Sequence, residues 1–335
     1  MRRALCSPVA TCLVIVPALW FAGCGGSSPT PLAPTPPHVS TPPPAPAPTQ
    51  IRISGRVTAT NGGQPLAGLS AAVGATSVTT DGSGSFSASM LPTASISLAL
   101  TGSSIVPRSL RVAASSTRDV SVDAIVLGGG FDPTFYRQLV RNSFDQPGTL
   151  QPLRRWTTTP SVYLKTVDEA GEAIHGPTLN VIETTLKEAV PAWTSGALGT
   201  PAVERGTGSR EGQSGWITIK FPAVATPGRC GTAQIGADGG WIELEYHAVS
   251  GIMCRAPGSV VAPRLVRHEI GHALGFWHTD NPNDVMYGSQ YMDWNAQPSA
   301  RERYHAAISY RRPIGNVDPD TDGAGTVTLA PMTAR

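Results

Sequence analysis

The segment that most limits how this chain can fold starts at residue 268 and reads His-Glu-Ile-Gly-His-Ala-Leu-Gly-Phe-Trp-His. On an α-helix, His268 and His272 are four residues apart, so both imidazoles lie on one face and can share a metal ion. Gly275 permits a left-handed turn that ends the helix and returns His278 as a third imidazole. Three histidines leave one position of a tetrahedral zinc ion for water.

Glu269 lies beside the first histidine, where it can accept a proton from that water and pass it to a leaving amine. A methionine, Met286, follows His278 by eight residues in Asp284-Val285-Met286-Tyr287-Gly288. The histidine segment resembles the metzincin zinc-protease signature H-E-x-x-H-x-x-G-x-x-H at every fixed position. The methionine corresponds to the one that metzincins carry in a tight turn beneath the metal.

Within the metzincins, the match is closest to the matrixin-like branch, which also has Tyr directly after this Met. Thr279 and Gly288 depart from it, because matrixins usually have Ser and Pro there. The resemblance implies an α+β fold, with a twisted mixed sheet, a long helix and an active-site helix. It also implies one catalytic Zn²⁺, Met286 packed beneath it, and Tyr287 as a candidate for transition-state support.

The pattern around the signature predicts the elements of such a domain in residues 128–312. Strands are predicted at 161–165, 215–221 and 240–246, and apolar spacing predicts a helix at 178–193. Metzincins bind substrate along an edge strand that precedes the zinc helix, and β-augmentation is a general mode of peptide binding. The candidate for this role is Trp241, Ile242, Glu243, Leu244, Glu245 and Tyr246. An internal strand is the alternative.

A small all-β sandwich is predicted for residues 51–127. Apolar and polar residues alternate in Ile51–Val57, further candidates include Ala71–Val78, and turns recur at regular spacing. The pattern resembles the carboxypeptidase-regulatory-like or Cna-B-like modules of bacterial surface proteins. This module has no catalytic cluster, so it is interpreted as a stalk or, alternatively, as an adhesion module.

The N-terminus has the features of an export signal over residues 1–23. Two arginines precede an apolar stretch that is too short to span a membrane. Phe21-Ala22-Gly23-Cys24 resembles a bacterial lipobox, which predicts lipidation of Cys24. An ordinary signal peptide is the alternative. Residues 24–50 form a proline-rich linker, predicted to be extended.

Cys230 and Cys254 remain after the signal and the lipidated residue are set aside. An oxidising location and an even number predict one disulfide. The alternative is that Gly228-Arg229-Cys230-Gly231 acts as a cysteine switch, although the true switch precedes the catalytic domain. In the tail, residues 313–335, the segment that starts at Asp318 resembles the start of a calcium loop. The twelfth position of such a loop is normally Glu, but here it is Leu329. A turn-rich tail is therefore predicted, and structural Ca²⁺ is possible but unsupported.

These features predict an exported, lipid-anchored zinc endopeptidase of the bacterial cell envelope, in the outer membrane or at the cell surface. We expect a protein or peptide as substrate, attachment to a membrane through the lipid on Cys24, and a monomeric chain. A net charge of +2 gives no indication of nucleic-acid binding. Two alternatives remain: an adhesion protein on an inactive metalloprotease scaffold, and a zinc hydrolase of cell-wall peptides.

Overall fold

The computed structural model describes residues 49–113, 117–247, 254–256, 260–289, 293–323 and 329–334. The predicted signal, the lipidation site Cys24 and nearly all of the proline-rich linker lie outside the described residues. Within the described part of the chain, no helix has the length and apolar character needed to cross a membrane. The described chain is a mixed α+β structure with several sheets and few helices.

The N-terminal module, residues 51–127, consists of short strands in two sheets. Its strands are β1 (Ile51–Ala59), β2 (Ser70–Val73), β3 (Thr76–Thr79), β4 (Ser85–Met90), β5 (Ser95–Thr101), β6 (Arg108–Ala113) and β7 (Thr117–Ala124). The sheet orders are β4-β1-β7 and β3-β2-β5-β6. Alternation buries Ile53 and Val57 of β1 with Phe86, Leu98 and Leu100 in one apolar core. Two sheets that share a core agree with the predicted all-β module.

One predicted strand of this module is wrong. Ala71–Val78 is not continuous, because β2 and β3 pair antiparallel with Val73 opposite Thr76. Gly74, with φ of 59°, occupies the left-handed region that such a two-residue turn requires.

The C-terminal region, residues 128–334, contains the helices and a six-stranded sheet. Its helices are α1 (Pro133–Arg141), α2 (Gly176–Trp193), α3 (Pro263–Ala273) and α4 (Ala300–Ser309). Its strands are β8 (Ser161–Lys165), β9 (Val203–Gly206), β10 (Trp216–Lys220), β11 (Gly231–Gln234), β12 (Trp241–Leu244), β13 (Arg255–Ala256), β14 (Val260–Val261) and β15 (Thr333–Ala334). The sheet order is β15-β11-β12-β10-β8-β9. These elements confirm the predicted helix and the three predicted strands.

The interpretation of residues 241–246 as a substrate-binding edge strand is wrong. Strand β12 pairs parallel with β10 on one side and antiparallel with β11 on the other. Its backbone groups are therefore engaged by both neighbours and cannot receive an added peptide strand. Strand β11, not β12, lies nearer the sheet edge, and β15 pairs with its residues Ala233 and Gln234.

Helices α2 and α3 pack against each other through Trp193, which is fully buried. Its indole Nε1 donates to the backbone oxygen of Arg267 in α3 at 3.0 Å. Its ring lies 5.0 Å from that of Phe276, just beyond α3. This contact fixes the position of α3, and with it the predicted metal ligands, relative to the long helix.

The tail contacts the rest of the chain through its acidic residues. The carboxylate of Asp318 pairs with Arg137 of α1 at 2.8 Å. Asp320 pairs with Arg108 of β6, also at 2.8 Å, and Asp322 pairs with the same arginine at 2.9 Å. Arginine side chains therefore pair with all three carboxylates of the segment that resembles the start of a calcium loop.

Arg312 connects this tail to the N-terminal module and is itself fully buried. Its guanidinium pairs with Asp123 of β7 at 2.7 Å and with Asp320 at 2.8 Å. Nη2 also donates to Oγ1 of Thr60, directly after β1. We call Arg312, Arg108, Asp123 and Asp320 the arginine network.

Candidate metal centre

Helix α3 presents His268, Glu269 and His272 in a buried environment. It begins at Pro263, whose missing N–H is tolerated in the first turn of a helix. The apolar side chains of Leu265 and Ile270 are buried and hold the helix against the core. The two histidines lie one turn apart, and both are more than 90% buried.

The chain leaves α3 at Gly275, as the sequence predicts. Its φ of 111° is in the left-handed region, and a Cβ there would overlap the backbone oxygen of Arg154. The N–H of Phe276 donates to the oxygen of Gly271 at 3.0 Å and closes this turn. The chain then reverses and returns His278 to the other two histidines.

The three imidazoles meet at their Nε2 atoms. Nε2 of His272 lies 3.1 Å from that of His268 and 3.2 Å from that of His278. Zinc bound tetrahedrally at about 2.0–2.1 Å requires ligand nitrogens about 3.3 Å apart. The spacing therefore fits a metal ion held by these three residues.

Hydrogen bonds set the tautomers of the two helical histidines. Nδ1 of His268 lies 2.7 Å from the backbone oxygen of Val285, and Nδ1 of His272 lies 2.8 Å from that of Phe276. A carbonyl oxygen only accepts, so both Nδ1 atoms carry the proton and both Nε2 atoms carry a lone pair. Burial lowers the pKa of His268 to about 3 and that of His272 well below its ordinary value. Both rings are thus neutral and available as ligands.

His278 is oriented by a side chain. Its Nδ1 lies 3.1 Å from Oδ2 of Asp145, in the loop that follows α1. Nδ1 therefore donates to the carboxylate, and Nε2 faces the Nε2 atom of His272. Three imidazole nitrogens that converge in this way form a donor set that suits a metal ion.

Glu269 is a buried carboxylate that directly follows His268 in the sequence. Burial raises its pKa to about 8, and the charge of Arg229 partly opposes this shift. Its Oε2 has no hydrogen-bond partner among the described residues. Gly231 of β11 leaves room for the carboxylate, because a Cβ at that position would lie 2.5 Å from Oε1. An unpartnered buried oxygen is costly, so it marks a position where a ligand or solvent is expected.

Met286 lies beneath α3 in a tight turn, as the sequence predicts. Its side chain is fully buried, and its sulphur packs so close to Gly271 that a Cβ there would overlap it. The N–H of Tyr287 donates to the backbone oxygen of Asp284 at 3.3 Å, and the N–H of Thr279 donates to the backbone oxygen of Met286 at 3.0 Å. Tyr287 itself is half-buried.

Two acidic residues hold this turn. Glu302 accepts from the N–H of Met286 at 2.8 Å and from the N–H of Ser299 at 2.7 Å. Asp284 accepts from the hydroxyl of Thr279 at 3.1 Å and from Arg301 at 2.8 Å. Burial, followed by the charge of Asp284, raises the pKa of Glu302 to about 7.

Asp145 and Glu302 are two residues of the site that were not predicted from the sequence. A signal for Glu302 existed, since Ser299 and Glu302 form a capping box at the start of α4. No local signal exists for Asp145, which precedes its partner His278 by 133 residues.

Cys230 and Cys254 are joined by a disulfide, with their Cα atoms 5.0 Å apart. Cys230 directly precedes β11, so the bond lies next to the strand that borders Glu269. A cysteine engaged in a disulfide carries no free thiolate, so this arrangement does not provide the thiol of a cysteine switch.

No family model matches the chain, and no curated protein matches it. Metalloproteinase-II from Bacteroides fragilis is similar over 76% of this chain and 84% of its own, with 14% identity and a TM-score of 0.28. A protein of unknown function from Bacteroides fragilis NCTC 9343 is 22% identical over 26% of this chain and 31% of its own, with a TM-score of 0.21.

A chain of a type II cohesin–X-dockerin complex from Acetivibrio cellulolyticus is 19% identical, with a TM-score of 0.20. The match covers 65% of that chain and 25% of this chain. This chain thus spans less than two thirds of the length of that structure and of the protein of unknown function. All three TM-scores lie below 0.5, so none of these similarities assigns a function to the site.

Proposed function

We propose that this chain is an exported, lipid-anchored zinc endopeptidase of metzincin type, with a matrixin-like arrangement of its site. The observation that carries the proposal is the convergence of the Nε2 atoms of His268, His272 and His278 on one point. Glu269, directly after the first of them, is buried and has an unpartnered Oε2. Three neutral imidazoles suit zinc, and a site with three protein ligands keeps one position open for chemistry.

Bound zinc would polarise the scissile carbonyl and lower the pKa of water at the open position. Glu269 supplies the proton transfers. Its free Oε2 accepts a proton from the attacking water, and the resulting carboxylic acid donates that proton to the leaving amine. The low-polarity surroundings that raise its pKa favour the protonated form needed in the second step. With a divalent cation bound nearby, the pKa of Glu269 would be lower and its carboxylate form would be available for the first step.

The turn at Met286 supports the site from below by filling the space under Gly271. This packing keeps the helical pair of histidines in place. Tyr287 is one residue further along, half-buried, and is proposed to support the developing charge of the transition state.

The proposed location and partners rest on features of the sequence. Lipidation of Cys24 would anchor the chain to an envelope membrane, with the proline-rich linker as spacer. The proposed substrate is an extended protein or peptide, and the proposed functional unit is a monomer. The disulfide between Cys230 and Cys254 is consistent with an oxidising compartment outside the cytoplasm.

The proposal is tested with the full chain, casein and a quenched-fluorescence peptide library. We expect cleavage that a chelator abolishes and that stoichiometric Zn²⁺ restores. Glu269→Gln removes the proton acceptor but keeps the size of the side chain, so we expect activity to fall by at least about 100-fold with zinc retained. Glu183→Gln is the matched control, because Glu183 is a partly buried glutamate of α2 that pairs with Lys187.

Cleavage that survives the chelator, or full activity in Glu269→Gln, would contradict the mechanism. Zinc binding without cleavage of any library would favour the inactive adhesion scaffold. Cleavage confined to cell-wall peptides would instead identify the third alternative, which shares the same site.

A further inference from the structure

The three candidate ligands differ in what orients them. Backbone oxygens, those of Val285 and Phe276, accept from Nδ1 of the two helical histidines. The third ligand, His278, has a carboxylate as its Nδ1 partner, Oδ2 of Asp145 at 3.1 Å. The eleven-residue signature therefore contains every ligand but lacks the residue that orients the last of them.

The third ligand also depends on α1 for its backbone position. The N–H of Trp277, directly before His278, donates to the oxygen of Leu139 in α1 at 2.8 Å. Two residues after His278, the N–H of Asp280 lies 3.4 Å from Oε1 of Gln138. Contacts from α1 thus bracket His278 on both sides, and the loop after α1 contributes the contact to its ring.

The loop that carries Asp145 is anchored at both ends. Asn142, with φ of 60°, caps α1 in the left-handed conformation, and its oxygen accepts from the N–H of Gln146 at 2.9 Å. The N–H of Gln151 then donates to the oxygen of Arg141 at 2.8 Å and closes the loop. Asp145 is 40% exposed, so the loop places a carboxylate at the surface within reach of a buried imidazole.

We infer that Asp145 is a positioning residue for the metal centre, and that α1 with its following loop sets the geometry of His278. The hydrogen bond fixes the Nδ1–H tautomer and the ring plane, and the negative charge makes Nε2 a stronger ligand. The inference rests on the proposed function, because it presupposes a metal ion held by the three histidines.

Zn²⁺ affinity is the measurement that tests this role, independently of activity. The metal-free full chain is titrated with Zn²⁺ against a chromophoric chelator. We expect Asp145→Ala to raise the dissociation constant for Zn²⁺ by about 10–100-fold. Asp145→Asn keeps an acceptor for Nδ1–H but loses the charge, so we expect a smaller increase. The melting temperature of each metal-free variant should match that of the wild type, since Asp145 is exposed and contributes no core packing.

Asp280→Ala is the matched control. It removes an exposed carboxylate two residues from His278 that has no contact with its ring, so its Zn²⁺ dissociation constant should stay within about two-fold. Unchanged Zn²⁺ affinity in Asp145→Ala, or an equal loss in Asp280→Ala, would overturn the positioning role alone. Failure of the wild type to bind Zn²⁺ would overturn the proposed function and this inference together.

If Asp145→Ala does not fold, Asp145→Asn decides the question. A folded Asp145→Asn with wild-type affinity would contradict the contribution of the charge, and affinity lowered several-fold would support it.

Discussion

Nδ1 of His268 donates to the backbone oxygen of Val285, 17 residues further along the chain, at 2.7 Å. Val285 directly precedes Met286, whose sulphur packs beneath Gly271 in the same helix. The turn that supports the helix from below therefore also orients its first histidine. Glu302 holds that turn through the N–H of Met286, so a residue of α4 contributes to the geometry of the three-histidine cluster.

Replacing Gly275 with alanine is expected to destabilise the protein strongly. The substitution combines an unfavourable left-handed φ of 111° with overlap between the new Cβ and the backbone oxygen of Arg154. Backbone strain costs about 1–3 kcal/mol, and the overlap adds to it. We expect a loss of at least about 3 kcal/mol in the free energy of unfolding, measured by urea denaturation.

Gly130→Ala is the control for that substitution. Gly130 has φ of 96° but open space where a Cβ would lie. It therefore reports the strain alone, and we expect a loss of about 1–2 kcal/mol. Equal losses in the two variants would show that the close approach to Arg154 does not matter.

Arg312→Met is expected to weaken the arginine network. Arg312 is fully buried, and its removal leaves the carboxylates of Asp123 and Asp320 without their shared partner. Breaking a buried pair by removing one member costs about 3–5 kcal/mol. Urea denaturation should show this loss in a single transition if the N-terminal module and the C-terminal region unfold together.

Arg137→Met tests an ion pair of the same kind at the surface. Arg137 is 43% exposed in its pair with Asp318, so its loss should cost less than about 1 kcal/mol. A loss in Arg312→Met as small as that in Arg137→Met would contradict the structural role of the arginine network. The module would then behave as the independent stalk that its sequence suggests.

Glu302 predicts a pH dependence of stability. Its pKa is about 7 in the folded chain, against an ordinary value of 4.5, so the folded chain keeps a proton that the unfolded chain releases between these values. Stability therefore falls as the pH rises from about 4.5 to 7, by an amount on the order of 3 kcal/mol. Glu302→Gln has no such titration.

Urea denaturation of the metal-free proteins at pH 5 and pH 8 measures this effect. The wild type should exceed Glu302→Gln in stability by more at pH 5 than at pH 8. A difference that stays the same at both pH values would show that the carboxyl does not titrate in this window.

The convergence of the three histidines could be predicted because they lie within eleven residues, where helical spacing and one glycine determine the geometry. Met286 followed from its short distance to His278. Asp145 could not be predicted, because its contact with His278 depends on how α1 docks against residues far along the chain. Glu302 had a capping-box signal, but not one that pointed to Met286.

The error at residues 241–246 has a similar cause. Alternation identifies a strand, but it does not report which strands lie beside it. Strand β11 has only four residues, Gly231–Gln234, so no alternating pattern revealed the neighbour that makes β12 internal. The pairing of the acidic tail with arginines of α1, β6 and the segment after α4 could not be predicted either, because these contacts depend on the folded chain.

Zinc content is the most direct test of the three-histidine site. The wild-type full chain and His272→Ala are each equilibrated with Zn²⁺, passed through a desalting column and analysed by inductively coupled plasma mass spectrometry. We predict one zinc ion per wild-type chain and none in His272→Ala. A wild-type chain without zinc, or a variant that keeps a full equivalent, would contradict the proposed metal centre.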